Sequence, residues 1–239
     1  IEELAQKSSF EETSYLLLFG ELPTSDQLKK FTSKVTQYRD LPEELVLILK
    51  ALPKHTRPMD VLQMAVSSLG TFYDLEVSPE KVKGNKYDDE YFLNTSAALI
   101  GALGSIVAAW HRIRNGDEPI SSKPDCTYAE NFLHILGAEK ITPLMTRIMD
   151  ATLVLHGEHT INASTFTAMV TSSTLANASQ VVASAIGSLS GPLHGGANEK
   201  VIAMLQKIES KEEIRPWLDE TLKACLLYTS DAADDTSRV

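Results

Sequence analysis

The chain has 239 residues with 22 basic and 32 acidic side chains, which give a formal net charge of −10 at pH 7. This length allows one large or two small domains around a sizeable apolar core. The acidic balance, without a clustered basic stripe, argues against nucleic-acid binding, because neutralising phosphates requires grouped Lys and Arg.

Cysteine use and the first residues favour a cytoplasmic location. Cys126 and Cys225 are the only cysteines and form no Cys-x-x-Cys spacing, so neither a disulfide framework nor a thiolate zinc site is indicated. The chain opens Ile-Glu-Glu, which is unlike a signal peptide and lacks an initiating Met, so we expect an incomplete N-terminus. Its most apolar stretch, residues 95–110, is too short for a bilayer span and is predicted to be a buried helix.

The first helices are predicted from their caps. Ser9 and Glu12 fit a capping box, and Gly20 fits the end of the same helix. Thr24 opens a second helix, and Pro42 suits the first position of a third. The beginning of the chain therefore consists of short amphipathic helices.

The middle of the chain predicts longer helices separated by glycine and proline. One helix is predicted from Met59 until Gly70, followed by a solvated loop over residues 78–86. A long helix spans residues 88–114 and ends at Asn115 and Gly116. Two further helices are predicted over residues 128–136 and 143–155. Strand-like alternation is essentially absent, which indicates an all-α fold.

Small residues crowd the apolar face of residues 163–189. They are Ala168, Ala176, Ala178, Ala183, Ala185 and Gly187. Because small side chains let helix axes approach closely, this segment predicts a tightly packed layer suited to burial between subunits. Ser210 with Glu213 then caps a last helix.

The final segment, residues 225–239, differs from the rest of the chain. It has no apolar periodicity, and its string Leu-Leu-Tyr-Thr-Ser-Asp-Ala-Ala-Asp resembles a translated sequencing adapter. We expect this tail to be an artefact.

Six histidines are the candidates for chemistry. His55 lies in a predicted loop, while His111 and His134 lie in predicted helices, and none of the three is assigned a role. His156 and His159 are three residues apart and would share a helical face with Glu158 beside them. That spacing differs from the His-Glu-x-x-His metal motif and lacks a third ligand, so packing at a helix end is favoured and no metal is expected.

His194 stands in a different setting, between Pro192 and two glycines. Glycines allow a side chain to be presented beside closely packed main chain, and a helix that begins near Gly196 would direct free N–H groups and a positive dipole end toward it. Such a site favours a neutral imidazole and suits a developing oxyanion or enolate. From these residues alone, an exposed histidine in an ordinary turn is the competing interpretation.

Several ordered segments resemble the citrate synthase family, which includes the 2-methylcitrate synthases. The segment around His194 reads Gly-Pro-Leu-His-Gly-Gly-Ala-Asn-Glu over residues 191–199, and it follows Glu158-His159 and Asn162-Ala163-Ser164-Thr165. Three earlier segments match as well: Ser8-Ser9-Phe10-Glu11-Glu12, Pro58-Met59-Asp60-Val61-Leu62 and Ala108-Ala109-Trp110-His111-Arg112. The likeness covers residues 1–224 and leaves residues 225–239 as a tail outside the family.

The resemblance implies a multi-helical large domain, a homodimer or higher oligomer, and condensation of acetyl-CoA with oxaloacetate. Catalytic His194 would hold the thioester oxygen and stabilise the enol, while His159 would hydrogen-bond oxaloacetate. A carboxylate base, a second histidine and arginines for the substrate carboxylates are also required. No cofactor is implied beyond acetyl-CoA as a substrate.

The chain departs from the family pattern after the last predicted helix. It contains no Gly-His-Arg segment and no family-like context for a catalytic Asp. We therefore expect the small domain to be missing and the chain alone to be an inactive fragment. The alternatives are a 2-methylcitrate synthase that uses propionyl-CoA, a non-catalytic helical dimerisation module, and a metal-dependent hydrolase that uses His156, His159 and His194.

Overall fold

The computed structural model describes residues 2–76, 82–83, 86–158 and 160–223. Within these residues the chain forms twelve α-helices and one small antiparallel hairpin, so the predicted all-α class is confirmed. The tail at residues 225–239 lies outside the described residues, and its predicted status stays a prediction.

The elements follow one another in the first half as α1 Glu2–Lys7, α2 Phe10–Phe19, α3 Ser25–Gln37, α4 Glu43–Ala51, α5 Pro58–Phe72, β1 Val82–Lys83, β2 Lys86–Tyr87 and α6 Asp89–Asn115. The second half contains α7 Tyr128–Ile135, α8 Pro143–Leu155, α9 Ala163–Ser172, α10 Ala178–Leu189, α11 Gly196–Leu205 and α12 Lys211–Lys223.

The helix boundaries follow the local caps. The Ser9 hydroxyl accepts from the Glu12 amide, and the Glu12 carboxylate accepts from the Ser9 amide at 2.8 Å, which completes the predicted capping box. Gly20 and Gly116 end α2 and α6 in left-handed conformations, with φ of 83° and 94°. These φ values favour glycine because a Cβ would be strained there.

Two predicted boundaries were wrong. Pro42 is the N-cap of α4 rather than its first helical residue, since its φ of −53° combines with an extended ψ of 138°. Gly70 does not end α5, which continues to Phe72. A Cβ on Gly70 would lie 2.8 Å from the Ser179 hydroxyl oxygen, so this glycine serves close packing inside the helix.

The predicted loop over residues 78–86 overlaps a short hairpin. Val82 pairs with Tyr87, and Lys83 pairs with Lys86, in antiparallel register. Each strand has only two residues, which is too short for side-chain alternation to reveal it in the sequence.

Helix α6 is the central element of the fold. With 27 residues, it is long enough and apolar enough to cross a membrane by length and composition alone. However, 67% of its 18-residue apolar window is buried inside the protein. The helix is therefore longer than the apolar stretch suggested, and its burial within the protein, not a short length, supports the prediction of a buried helix. Helices α3, α4, α5 and α7 all contact it.

Two apolar clusters share α6. One joins α4, α5, α6 and α10 around Leu49, Leu69 and Ile106, and the other joins α2, α3 and α6 around Phe31 and Ala97. Helix α10 lies between α5 and α9, which it contacts extensively. The fold thereby fixes α9 and α10 against each other, and those two helices position His194.

Candidate functional site

His194 lies in a tight turn between α10 and α11. The backbone amides of His194 and Gly195 both donate to the carbonyl oxygen of Gly191, at 3.0 and 3.1 Å. Helix α11 then begins at Gly196, as the sequence predicted, with Gly195 as its N-cap. The turn therefore holds the His194 backbone immediately before a helix N-terminus.

The two glycines after His194 have different roles. A Cβ placed on Gly195 would lie 2.0 Å from the carbonyl oxygen of Leu189, a backbone atom that cannot move aside freely. A Cβ on Gly196 would meet nothing within 4 Å. The close approach of main chain that the sequence predicted beside His194 is therefore made at Gly195.

One ring nitrogen of His194 has a partner. Its Nε2 lies 2.8 Å from the hydroxyl oxygen of Ser164 on α9, and that hydroxyl also lies 3.0 Å from the carbonyl oxygen of Ala185 on α10. The other ring nitrogen, Nδ1, is buried and has no hydrogen-bond partner in the described part of the chain. Among the described residues, Nδ1 is therefore the ring nitrogen without a partner.

Ser164 owes its position to a helix cap. The side-chain oxygen of Asn162 accepts from the amide of Thr165 at 3.0 Å and so begins α9. This cap places Ser164 in the first turn of α9, facing α10 and the His194 turn. The sequence contained Ser164 within a family-like segment but gave it no role, because its partner is 30 residues away.

Residues 156–158 lie between α8 and α9 and are not helical. Helix α8 ends at Leu155, and His156 is its exposed C-cap, with Nδ1 2.7 Å from the Thr152 carbonyl oxygen. His156 therefore lies at a helix end, as predicted, but its side chain is exposed there rather than packed. His159, the predicted oxaloacetate-binding residue, lies outside the described residues.

Other candidate groups are separate from the His194 turn. His55 is exposed in a turn, His111 is exposed on α6, and His134 is half-buried on α7. Burial, followed by the neighbouring Glu130, raises the pKa of the Cys126 thiol, which disfavours a reactive thiolate. Across the described ranges, no three His, Cys, Asp or Glu residues are close enough together to hold a metal ion.

Comparison with known proteins matches almost the whole chain to one family. Residues 1–227 match the family model described as citrate synthase, C-terminal domain. The chain is 42% identical over 222 residues to a citrate synthase of Acidithiobacillus ferridurans, covering 93% of this chain and 57% of that protein. It is 37% identical over 216 residues to a 2-methylcitrate synthase of Shewanella oneidensis, covering 90% and 55% of the two chains.

The fold comparison agrees with the sequence comparison. The crystal structure of citrate synthase from Pyrobaculum aerophilum superimposes with a TM-score of 0.77 and 36% identity, covering 86% of this chain and 51% of that chain. The chain therefore spans about half the length of the relatives it matches.

Proposed function

The chain belongs to the citrate synthase family, and from this premise we propose that it supplies part of the active site of an enzyme that condenses acetyl-CoA with oxaloacetate, yielding citrate and CoA. Such an enzyme is an acyltransferase that converts the acyl group into an alkyl group on transfer. The observation that carries the proposal is Nδ1 of His194, which has no hydrogen-bond partner among the described residues and belongs to the family motif directly before the start of α11.

The chemistry requires a hydrogen-bond donor at this position. A thioester methyl group is a weak acid, so a carboxylate base can remove its proton only if the charge developing on the thioester oxygen is stabilised. A hydrogen on Nδ1 of His194 would donate to that oxygen. The free N–H groups at the start of α11 add positive potential in the same region.

His159 is proposed to hydrogen-bond oxaloacetate, in keeping with the family resemblance of Glu158-His159. The chain contains no Gly-His-Arg segment that would supply the second histidine, and no Asp in a family-like context that would supply the base. We therefore propose that these 239 residues alone catalyse no measurable condensation.

A chimera tests the proposed activity. Residues 1–223 would replace the matching part of the Acidithiobacillus citrate synthase, and the remaining segments of that enzyme, which this chain does not span, would be kept. We expect the chimera to release CoA from acetyl-CoA only when oxaloacetate is present. His194→Ala should lower kcat by about 10²–10³-fold, the usual effect of removing one donor to a developing oxyanion.

Matched variants separate the two histidines from general damage. His159→Ala should mainly raise the KM for oxaloacetate, by about tenfold or more, because a hydrogen bond to a charged substrate is lost. His111→Ala, on the exposed face of α6, should leave both constants unchanged. A folded, active chimera whose kcat survives His194→Ala would refute the role of His194.

The acyl substrate has a second candidate in propionyl-CoA, favoured by the 37% identity to a 2-methylcitrate synthase. One methylene changes binding in a pocket by only about 1–3 kcal/mol, so both thioesters must be compared directly. The ratio of the two kcat/KM values in the chimera decides between them.

A homodimer or higher oligomer is also proposed, and it is supported by the surface of α9. This helix has no buried residue, and Phe166, Met169 and Val170 are 62%, 52% and 53% exposed. Apolar side chains grouped in this way favour contact with another protein surface. The same face supports the second candidate function, a non-catalytic dimerisation module.

We propose a cytoplasmic enzyme without a metal or a bound cofactor, with acetyl-CoA acting as a substrate. Treating the chimera with EDTA should leave its kcat unchanged. Loss of activity on chelation, restored by one added metal, would contradict this part of the proposal and favour the metal-dependent alternative.

A further inference from the structure

Arg39, which follows the C-cap of α3, is a buried cation that uses only part of its hydrogen-bonding capacity. Its side chain is fully buried, and Nη1 donates to the carbonyl oxygen of Cys126 at 2.8 Å. Nε and Nη2 have no hydrogen-bond partner among the described residues. These two nitrogens form one edge of the planar guanidinium, and their parallel N–H groups have the geometry that binds both oxygens of a carboxylate.

The neighbouring carboxylate of Glu11 does not hydrogen-bond to this edge. Glu11 is also buried, and its Oε1 accepts from the backbone amide of Tyr128 at 2.7 Å. The same oxygen lies 3.9 Å from Nη2 of Arg39, which is close enough for an ion pair but beyond hydrogen-bond distance. Burial lowers the pKa of the Arg39 guanidinium, and Glu11 opposes that change only in part. Because buried donors without acceptors are costly, this edge of Arg39 favours binding of a further acceptor.

A cavity of about 160 Å³ lies beside Arg39. Apolar side chains form most of its wall, among them Leu41, Val46, Ala108, Ile120 and Ile135. A narrower gap is lined by Arg39 as well and also by Tyr128, whose ring centre is 5.6 Å from the guanidinium carbon. The buried cation therefore borders a cavity whose other walls are mainly apolar.

We propose that this cavity is a second binding site, which takes a short aliphatic monocarboxylate through the Nε–Nη2 edge of Arg39. The carboxylate accepts two parallel hydrogen bonds from the guanidinium, and the alkyl chain lies against the apolar wall. One water takes about 30 Å³ in the liquid, so a cavity of about 160 Å³ admits a carboxylate with a short chain but not a nucleotide.

The surrounding charges limit the ligand to one negative charge. Asp40 also lines the cavity; it is exposed, and its Oδ1 accepts from the Ser122 amide at 2.9 Å. Water and salt screen this exposed carboxylate, so Arg39 can still bind one anionic group. A second negative charge on the ligand would be repelled by both Asp40 and buried Glu11. Dicarboxylates should consequently bind more weakly than monocarboxylates.

The cavity is separate from the His194 turn. Its lining residues belong to the end of α3, to α4, α6 and α7, and to the segments that connect α3 with α4 and α6 with α7. None of them belongs to α9, α10 or the turn before α11. Binding at Arg39 therefore does not depend on the proposed condensation activity, and the two proposals can fail independently.

Calorimetric titration of the 239-residue chain with propionate tests the site. We expect saturable binding with a Kd of about 1 mM, as suits a ligand of so few atoms. Propionamide has a similar shape without the charge and should bind at least about tenfold more weakly, because charge-assisted bidentate hydrogen bonds are lost. Malonate should also bind more weakly, and His194→Ala should leave propionate binding unchanged.

Two neighbouring substitutions on α6 locate the bound ligand. Ala108 lines the cavity, whereas Val107 is 41% exposed. Ala108→Leu fills part of the cavity without changing Arg39 and should weaken propionate binding at least about tenfold through overlap with the alkyl chain. Val107→Leu is the matched control and should leave the Kd unchanged.

The Nε–H resonance of Arg39 reports the contact in the unsubstituted chain. With ¹⁵N-labelled arginine and assignment through bonds to the backbone, this resonance should shift with propionate at the same Kd as in calorimetry. The Nε–H resonance of Arg147, which lies on α8, should stay in place. This measurement decides even if Ala108→Leu does not fold.

Four results would overturn the site: no saturable binding of propionate, equal affinity for propionamide, an unchanged Kd in folded Ala108→Leu, or an Arg39 resonance that does not move while propionate binds. The first result would mean that water alone satisfies the guanidinium edge.

Discussion

Gly195 and Ser164 constrain different parts of His194. Gly195 allows the turn to approach the Leu189 carbonyl, and Ser164 contacts the imidazole ring. The first interaction fixes the backbone of the turn, whereas the second fixes the ring. A histidine aligned in this way loses little orientational freedom when it binds a ligand, which favours catalysis by a preorganised donor.

Alanine substitution should affect stability differently at the two glycines that follow His194. Gly195→Ala should lower the free energy of unfolding by about 1–3 kcal/mol, because its Cβ overlaps the Leu189 carbonyl oxygen. Gly196→Ala, whose Cβ meets open space, should be neutral or stabilising by about 0.4–1 kcal/mol. Urea unfolding measures both, and equal destabilisation by the two variants would contradict this assignment.

Buried Tyr128 should make the folded protein less stable at alkaline pH. Its hydroxyl donates to the Ile100 carbonyl at 2.8 Å, and burial raises its pKa to about 12. An unfolded tyrosine ionises near about pH 10, so the unfolded state loses its proton first and stability falls between pH 10 and 12. The loss from Tyr128 should approach about 2–3 kcal/mol.

Tyr128→Phe should make the free energy of unfolding depend less on pH, because the raised pKa of Tyr128 is removed. Urea unfolding from about pH 9 to about pH 12, a range that spans the unfolded and folded tyrosine pKa values, measures this. Burial also raises the pKa of Tyr73 to about 12, so Tyr73→Phe should flatten the dependence in part and the double variant more completely. An identical slope in Tyr128→Phe and the unsubstituted chain would show that Tyr128 does not carry this effect.

At the scale of elements, α3 and α6 approach so closely that the backbone of α3 occupies the place where a side chain at Gly101 of α6 would lie. A Cβ on Gly101 would lie 2.5 Å from the Val35 carbonyl oxygen and 2.9 Å from Cβ of Tyr38. Beside this contact, Ser105 donates to the carbonyl of Arg39, whose buried guanidinium donates to the Cys126 carbonyl at 2.8 Å. Helix α6 is thus joined to the end of α3 and to the segment that precedes α7.

Gly101→Ala should destabilise the fold by about 1–3 kcal/mol through overpacking, since the Val35 carbonyl belongs to the backbone of α3. Val107→Ala on the same helix is the matched control, because Val107 is 41% exposed and should change stability by at most about 0.5 kcal/mol. Thermal or urea unfolding compares them. A neutral Gly101→Ala would mean that the two helices can separate without loss.

At the scale of the whole molecule, the outer face of α9 decides how the proposed oligomer would form. If this face is buried in a homodimer, a charge at Phe166 loses its solvation in the interface and should dissociate the complex. Phe166→Glu should therefore behave as a monomer in light scattering, whereas the unsubstituted chain should be a dimer. Leu22→Glu, at a similarly exposed site between α2 and α3, should remain dimeric.

Helix boundaries were largely predictable because their causes are local. Each side-chain cap bonds to a backbone amide at most three residues later, so the local sequence contains both partners. The capping residues are Ser9, Thr24 and Asp88, and Glu12 and Gln27 complete the first two caps. Gly70 was misread for the opposite reason. Its role depends on Ser179 and Asn177, which are more than 100 residues away in the sequence.

By itself, the sequence determined the all-α class, most helix ends and the turn that carries His194, since each depends on neighbouring residues. Only the tertiary structure decided which hydroxyl contacts the imidazole, which glycine permits the close turn and which ring nitrogen has no partner among the described residues. Those features arise where α9, α10 and the turn before α11 meet, and packing between helices sets distances that no local pattern encodes.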